Sequence, residues 1–370
     1  MLRRVLHDAN PDVVVPGDDG IVAQLHAVHA AAPKLRALIE RSVGPASSYP
    51  VVDRRHALIA LAGGLGVRVP RTQRVSGPDD IVHWHRDVAP SGILKVDGSC
   101  GGAGVRISHS IDESLQAWKE LHTLPDRATT WKRHLVNRDP LAHWARLYRR
   151  APEITIQQLI AGQPANTMFA CRQGELLGLV SVAVVVSEGR TGAATIVRLI
   201  DDAEMAKAAE SIARELQLTG FYGLDYMLED GAGRPYLIEM NPRCTQLGHL
   251  DLPGRGSLAG AFCAALRGEP DPLEAEPVPA ATIQAATIAF FPQARLSTAT
   301  RVPVKGVHHD VPWEEAGLLA ELLRDPWPQR QWVARLYHAL RPLRHSAPVA
   351  HADVGLPATR ASDGVAAQTA

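Results

Sequence analysis

The 370-residue chain is long enough to build two or three lobes with cores of their own. Its 39 Lys and Arg balance 39 Asp and Glu, so no basic face is implied, and neither nucleic acid nor an acidic membrane is an expected partner. Cys100, Cys171, Cys244 and Cys263 show no CxxC spacing, which argues against a zinc site or a disulfide framework; no stretch reads as a signal peptide or a membrane span, and the expected compartment is the cytoplasm.

The opening segment, LRRVLHDANPDVVVPGDDGIVAQLHAVHAAA, reads as a helix end, a buried strand at 13–15, a turn at 16–20 and a helix. A parallel sheet needs neighbours on both sides of such a strand. Residues 1–52 are therefore expected to be part of a larger Rossmann-like α/β lobe, with the natural protein extending upstream of Met1. Asp53 is the predicted cap of a helix, RRHALIALAGGLG, ended by its glycines. A short strand at 67–70 follows, then a helix near 78–85 whose His83 and His85 are read as surface histidines.

In GILKVDGSCGGAGVRISHSIDE (92–113), ILKV is a strand, GSCGGAG a glycine loop, VRIS a returning strand and Asp112 the predicted cap of the next helix. Glycines let backbone N–H groups close on phosphate oxygens, and Lys95 places a point charge just before them. The loop is neither a P-loop nor a dinucleotide fingerprint, because the lysine precedes the glycines and a strand follows them. Residues 121–152 are rich in Arg, His and Trp and read as helices with solvated faces, broken at Pro125 and Pro140. Strands are predicted at 153–162, 166–172, 176–186 and 193–200, an antiparallel pattern, and 201–218 is an amphipathic helix with Met205, Ala209, Ile212 and Leu216 on one side.

The stretch FYGLDYMLEDGAGRPYLIEMNPR (221–243) reads as a hairpin turning at EDGAGRP. A turn centred on Ala232 sets Asp225 opposite Glu239, and Glu239, Asn241 and Arg243 point the same way if the strand stays extended. Facing carboxylates repel, so one takes up a proton or a cation lies between them. The amide oxygen of Asn241 beside them favours a hard ion, Mg²⁺. Arg243 is placed to clamp phosphate or carboxylate oxygens. A loop at 244–257, a helix LAGAFCAALRG, a Pro- and acid-rich linker at 269–280, a strand at 282–291 and helices at 313–324 and 329–340 complete the pattern. His308, His309 and Asp310 are read as a strand-end turn, and the tail from about 345 is expected to lack order.

Four segments in order, DRRHALIALAGGLGVRVP, ILKVDGSCGGAGV, TIQQLIAG and GLDYM with LIEMNPR, resemble the ATP-grasp superfamily of carboxylate–amine ligases and carboxylases, most closely its carbamoyl-phosphate-synthase-like members. The resemblance runs from 53 to about 250. It implies an α+β ATP-grasp fold in which two lobes clamp ATP: an ATP-grasp domain over 53–275, with a lid over about 74–156, a hinge at 157–160 and a metal-binding part at 161–275, then a C-terminal helical extension to 345 and a tail at 346–370. It also implies site roles. Ser99, Gly101, Gly102 and Gly104 would close over the phosphates with Lys95; Gln157, Gln158, Leu159 and Ile160 would form the hinge, the backbone of Gln158 and Ile160 reading adenine. Asp225, Glu239 and Asn241 would hold one or two Mg²⁺ (or Mn²⁺), and Arg243 would steady the transferred phosphoryl group. Arg54 and Asn166 would be further nucleotide contacts; Arg54 stands where lysine is usual, Gln157 where the hinge commonly begins with glutamate, and Asn166 near where an acidic ribose contact is often found.

The implied activity is an ADP-forming ligase that joins a small carboxylate to an amine or thiol through an acyl phosphate, with room for a homo-oligomer. An ATP-binding regulatory module without turnover, or a carboxylase or carbamoyl-phosphate type of enzyme, are the alternatives. A nicotinamide-dependent oxidoreductase is set aside, since no strand–GxGxxG–helix unit occurs.

Overall fold

The computed structural model describes residues 2–97, 104–122, 153–252, 256–269, 287–296, 307–324 and 348–351, with 332, 335 and 336. The chain opens on helices α1 (Leu2–Ala9), α2 (Asp19–Ala31), α3 (Arg36–Val43) and α4 (Tyr49–Val52), which bury Leu6, Leu25, Ile39, Val43 and Tyr49 against one another. Residues 13–15 do not pair into a sheet, contrary to expectation; Val14 N–H donates instead to the Ser42 hydroxyl at 3.0 Å. Helix α5 (Arg55–Gly64) follows, and its cap position is Arg54 rather than Asp53, whose carboxylate is taken by His26 at 2.8 Å.

Strands β1 (Thr72–Val75), β2 (Gly92–Val96), β3 (Val105–Ser108) and β4 (Ile154–Gln157) make a four-stranded antiparallel sheet in the order β1-β4-β2-β3. The first of them lies at 72–75, not at the predicted 67–70. Helices α6 (Pro78–Asp87) and α7 (Ile111–His122) cover the sheet, and Ile81, Trp84, Leu94, Ala117, Ile154 and Ile156 form its core. Ser110, not Asp112, caps α7 by accepting from Glu113 N–H.

The larger sheet contains β5 (Gly162–Arg172), β6 (Glu175–Glu188), β7 (Ala194–Ile200), β8 (Gly220–Glu229) and β9 (Pro235–Asn241). A small β10 (Asp251–Leu252) and β11 (Gly256–Ser257) hairpin stands apart, and β12 (Thr287–Phe290), β13 (Val307–Asp310) and β14 (Pro348–Ala350) extend the large sheet at its far side. The order is β13-β12-β7-β6-β5-β8-β9, with β14 on β6. The strand predicted at 153–162 therefore ends early, β4 stopping at Gln157 in the small sheet, and the one predicted at 166–172 starts early, β5 beginning at Gly162 in the large one. A Cβ at Gly162 would collide with the Leu228 carbonyl, so the close crossing there requires glycine.

The large sheet is buried on both faces. Helix α8 (Ala203–Leu216) lays Met205, Ala209, Ile212 and Leu216 on one face, together with Leu58 and Ala62 of α5 and the even-numbered residues Tyr222 to Leu228 of β8. Helix α9 (Leu258–Arg267), capped by Ser257, packs Leu258 and Phe262 on the other face over Met168, Val182 and Phe221. Short helices α10 (Gln293–Leu296) and α11 (Ala316–Leu322) close the described chain, and the predicted helix over 329–340 lies almost wholly outside the described residues. Among the described residues no helix is long and apolar enough to cross a membrane.

Candidate active site

On β8 the residues alternate, so Tyr222, Leu224 and Tyr226 enter the core under α8 while Gly223 and Asp225 face the other way. Strand β9 must break that alternation to bring a partner. Leu237 and Met240 both enter the same core, three positions apart, which strict pleating forbids. A β-bulge between the Asp225 and Tyr226 pairings supplies the extra residue: Tyr226 pairs with Leu237 and Asp225 with Glu239. The bulge turns Glu239 out of the core and sets it opposite Asp225.

Asp225 is held from two sides. Its Oδ1 accepts from Asn166 Nδ2 at 2.6 Å and its Oδ2 from Asn241 Nδ2 at 3.0 Å. Burial and then the neighbouring Glu239 charge push its carboxyl up to about 6, against the pull of both amides and of Lys95. The pairing of β5 with β8 sets Asn166 across from Asp225. Arg243 donates Nε to Asp19 at 2.9 Å and Nη2 to the Asn241 oxygen at 3.2 Å, so the Asn241 amide is fixed between Asp225 and Arg243.

Lys95 ends in the same region from the small sheet. It is 4 % exposed, and its Nζ donates to Gln157 Oε1 at 2.7 Å. Burial, opposed by Glu239 and Asp225 and assisted by Arg55, brings its ammonium down to about 8. The Gln157 amide nitrogen donates to Thr72 Oγ1 at 3.1 Å and to the Ile238 carbonyl at 3.4 Å. Ile238 is the bulged residue, so one glutamine both holds the lysine and satisfies the carbonyl that the bulge frees. An amide can do this where an ionised glutamate could not, since lysine donates and a carbonyl accepts.

A residue the sequence reading passed over joins the site. Arg55 opens α5, its side chain is 6 % exposed, and it donates Nη2 to Glu239 at 2.6 Å and Nη1 to Asp97 at 3.0 Å. Its neighbour Arg54, the expected nucleotide contact, is exposed and approaches Glu153 at 3.8 Å. The signal that separates them is helix phase: the first turn of α5 packs Leu58 and Ile59 inward and carries Arg55 with them. Ser99, Gly101 and Gly102 lie outside the described residues; Gly104 is buried, and its carbonyl accepts from Val96 N–H at 3.1 Å, closing the base of the glycine loop. Between β4 and β5, Ile160 is buried and Leu159 partly so. The Gln158 N–H donates to the Arg71 carbonyl at 2.8 Å.

Asp225, Glu239, Asn241, Asn166, Arg55 and Arg243 line one cleft of ≈ 400 Å³. Two carboxylates and an amide oxygen form an all-oxygen donor set, and a cation between them would offset both the burial and the facing charge of Glu239 that raise the Asp225 carboxyl; the residues fit Mg²⁺. A second group, His56, Asp97 and Glu153, has its donor atoms within 4.8 Å of one another. Arg54, Arg55 and Arg74 contact its two carboxylates at 3.8, 3.0 and 3.0 Å, and three guanidinium charges leave no cation deficit there. His83 is exposed and pairs with Asp87 at 2.7 Å, as expected of a surface histidine, whereas His85, also expected at the surface, is half-buried and pairs with Ser114 at 2.8 Å.

The raised Asp225 carboxyl has a consequence for stability. A folded-state value near 6, above the usual unfolded one, means that stability falls as pH rises from about 4 to about 6, and the penalty stays constant above that. Asp225→Asn is expected to raise the melting temperature of the metal-free protein near neutral pH by a few degrees, on the order of 1–2 kcal/mol after one amide contact is lost. The gain should shrink as pH falls from about 6 and vanish by about pH 3, where the wild-type group is neutral in the folded and the unfolded chain alike. A lower melting temperature for the variant near neutrality would show that the carboxylate pair carries no strain.

A family model described as an ATP-grasp domain matches residues 141–246. None of the curated proteins compared matches the sequence. Among solved structures, the chain is similar to the biotin carboxylase domain of Hydrogenobacter thermophilus 2-oxoglutarate carboxylase, determined with MgADP, ADP and bicarbonate. The TM-score is 0.53 at 11 % identity, over 76 % of this chain and 57 % of that one. It is also similar to the Aspergillus clavatus N5-carboxyaminoimidazole synthase in complex with ADP and 5-aminoimidazole ribonucleotide, with a TM-score of 0.49 at 12 % identity, over 66 % of this chain and 59 % of that one. The chain thus spans little more than half the length of the structures it matches.

Proposed function

The chain carries an ATP-grasp domain and is an ATP-grasp superfamily protein, and from that premise we propose that it is an ATP-dependent ligase joining a small carboxylate to an amine through an acyl phosphate. The observation that carries the reading is the bulge that sets Glu239 opposite Asp225, with Asn241 beside them and Lys95 and Arg243 at the same place. A carboxylate is a poor electrophile. Transfer of the γ-phosphoryl group from ATP to its oxygen forms an O–P bond and releases ADP; attack by the amine then forms a C–N bond and expels phosphate.

Such a transfer is carried by positioning and charge, and no side-chain nucleophile is needed. Asp225, Glu239 and Asn241 would hold the magnesium. Bound there, Mg²⁺ supplies neutralisation of the phosphate oxygens as charge builds on them. Lys95, held by Gln157, presents its ammonium from the lid sheet toward the same oxygens. Arg243 is pre-oriented by Asp19 and Asn241. Cytoplasmic location and small-molecule partners belong to this same proposal.

The test is a panel of small carboxylic acids crossed with amines, thiols and amino acids, screened with MgATP for ADP and phosphate release. ADP release that requires both a carboxylate and an acceptor supports the ligase. Tight binding of nucleotide with no release across the panel would point instead to an ATP-binding module without turnover. Release that requires bicarbonate would point to a carboxylase or carbamoyl-phosphate type of reaction.

A further inference from the structure

Arginine is a poor choice for the first residue of a helix, where the backbone dipole already presents positive charge. Arg55 occupies that position in α5 and is 6 % exposed. A guanidinium so placed must be offset, and it is, by one oxygen from each of two carboxylates that belong to different sheets. Asp97 ends the β2 approach to the glycine loop, and Glu239 belongs to the β8–β9 hairpin. The bonding is incomplete: Arg55 Nε and Asp97 Oδ2 are both buried with no hydrogen-bond partner among the described residues. Arg55 also lies between two clefts, of ≈ 400 and ≈ 300 Å³, and lines both together with Asp19 and Glu239.

Glu239 is the carboxylate that faces Asp225, and its Oε1 is already taken by a cation at 2.6 Å. A divalent ion between Asp225 and Glu239 would meet that guanidinium at close range, where like charges repel strongly in a half-buried site. We propose that Arg55 is the resident counter-cation of the site. It neutralises Glu239 while no divalent cation is present, and it yields that oxygen, keeping Asp97, when the cation arrives together with nucleotide. Free cation is thereby disfavoured, while a cation already carrying the negative charge of a nucleotide is not. Arg55 is a positioning residue on this account, and it couples the root of the glycine loop to the state of Glu239. The inference rests on the metal-binding role given above to Asp225 and Glu239.

Mn²⁺ is the probe, followed by electron paramagnetic resonance of the unbound ion, with the full chain and with no carboxylate or amine present. The wild type should bind free Mn²⁺ at least about tenfold more weakly than it binds Mn²⁺ in the presence of saturating ADP. Arg55→Gln should bind free Mn²⁺ at least about tenfold more tightly than the wild type, while its preference for the ADP-bound ion shrinks. Arg55→Lys, which keeps the charge, should stay close to wild type for free Mn²⁺. A structural role alone predicts the opposite sign, since a damaged site binds the ion less well. Unchanged or weaker free-Mn²⁺ binding in a folded Arg55→Gln protein would overturn the proposal and leave the ligase reading standing. Equal affinity of the wild type for free and ADP-bound Mn²⁺ would overturn it with no variant needed. Absence of Mn²⁺ binding to the wild type even with ADP would overturn the ligase reading and this proposal together.

Discussion

Glu239→Gln is expected to lower turnover by at least ~100-fold while leaving the fold in place. The substitution keeps the shape of the side chain and an oxygen for Arg55 Nη2, so the 2.6 Å contact survives as a neutral acceptor. What disappears is one of the two negative charges that face each other across β8 and β9. A hard divalent ion is held mainly by charge, and an amide oxygen is a weaker ligand than a carboxylate. Arg55 keeps Asp97, so its burial stays partly compensated, and the stability loss should be about 1–2 kcal/mol, too little to unfold the protein at assay temperature. Steady-state kinetics, a melting curve and Mn²⁺ binding on one preparation separate these effects. Turnover within about threefold of wild type would remove Glu239 from the metal site, and the ligase reading with it.

The pairing of Asp225 with Glu239 was legible in the sequence, yet not for the full reason. A turn centred on Ala232 gives that pairing with a regular hairpin. The actual hairpin pairs Leu228 with Pro235 and Tyr226 with Leu237, a centre half a residue earlier, and the bulge restores the difference. Without it Glu239 would fall on the face of Leu237, beneath α8. A bulge leaves no residue signature here beyond a run, YLIEM, that is too apolar to alternate. The helix over 203–216 and the glycine loop between two strands were also readable, because 3.6-residue periodicity and glycine clustering are local signals.

What could not be read depended on contacts far apart in the chain. Arg54 and Arg55 are equivalent in sequence, and only the packing of α5 decides which one turns inward to reach Glu239, 184 residues away. Asn166 reaches Asp225 because β5 pairs with β8 across two intervening strands and a helix in sequence. Residues 13–15 have the composition of a buried strand, but among the described residues nothing pairs with them as a sheet, and the Ser42 hydroxyl satisfies Val14. The β4–β5 break at 158–161 lies close to the hinge at 157–160 that the resemblance implied, but the residues themselves, strand-like on both flanks, did not show it. Only their membership in different sheets, with Gly162 pressed against Leu228, shows that the chain passes from one lobe to the other there.

Lys95 is expected to give the second large effect, and its pH dependence distinguishes it from a packing residue. The ammonium is buried and its value is brought down to about 8, so the folded protein holds this proton less firmly than the unfolded chain does. The sign for stability follows: the charged lysine opposes folding below about pH 8, and that penalty is relieved as pH rises toward the unfolded lysine value. Binding has the opposite sign, because phosphate oxygens need the cation. The kcat/KM for MgATP should therefore fall as pH rises through about 8, by up to tenfold per pH unit. Lys95→Met should lower kcat/KM by roughly 100-fold near neutral pH and abolish that limb of the profile. It should also raise the melting temperature below about pH 8, since a desolvated charge is exchanged for an apolar side chain of similar length. Gln157 loses its donor in this variant but keeps Thr72 and the Ile238 carbonyl, so the bulge that aims Glu239 remains supported. If the alkaline limb persists unchanged in Lys95→Met, the titrating group lies elsewhere, and Lys95 is an interior tether from β2 to Gln157 of β4 with no part in holding phosphate.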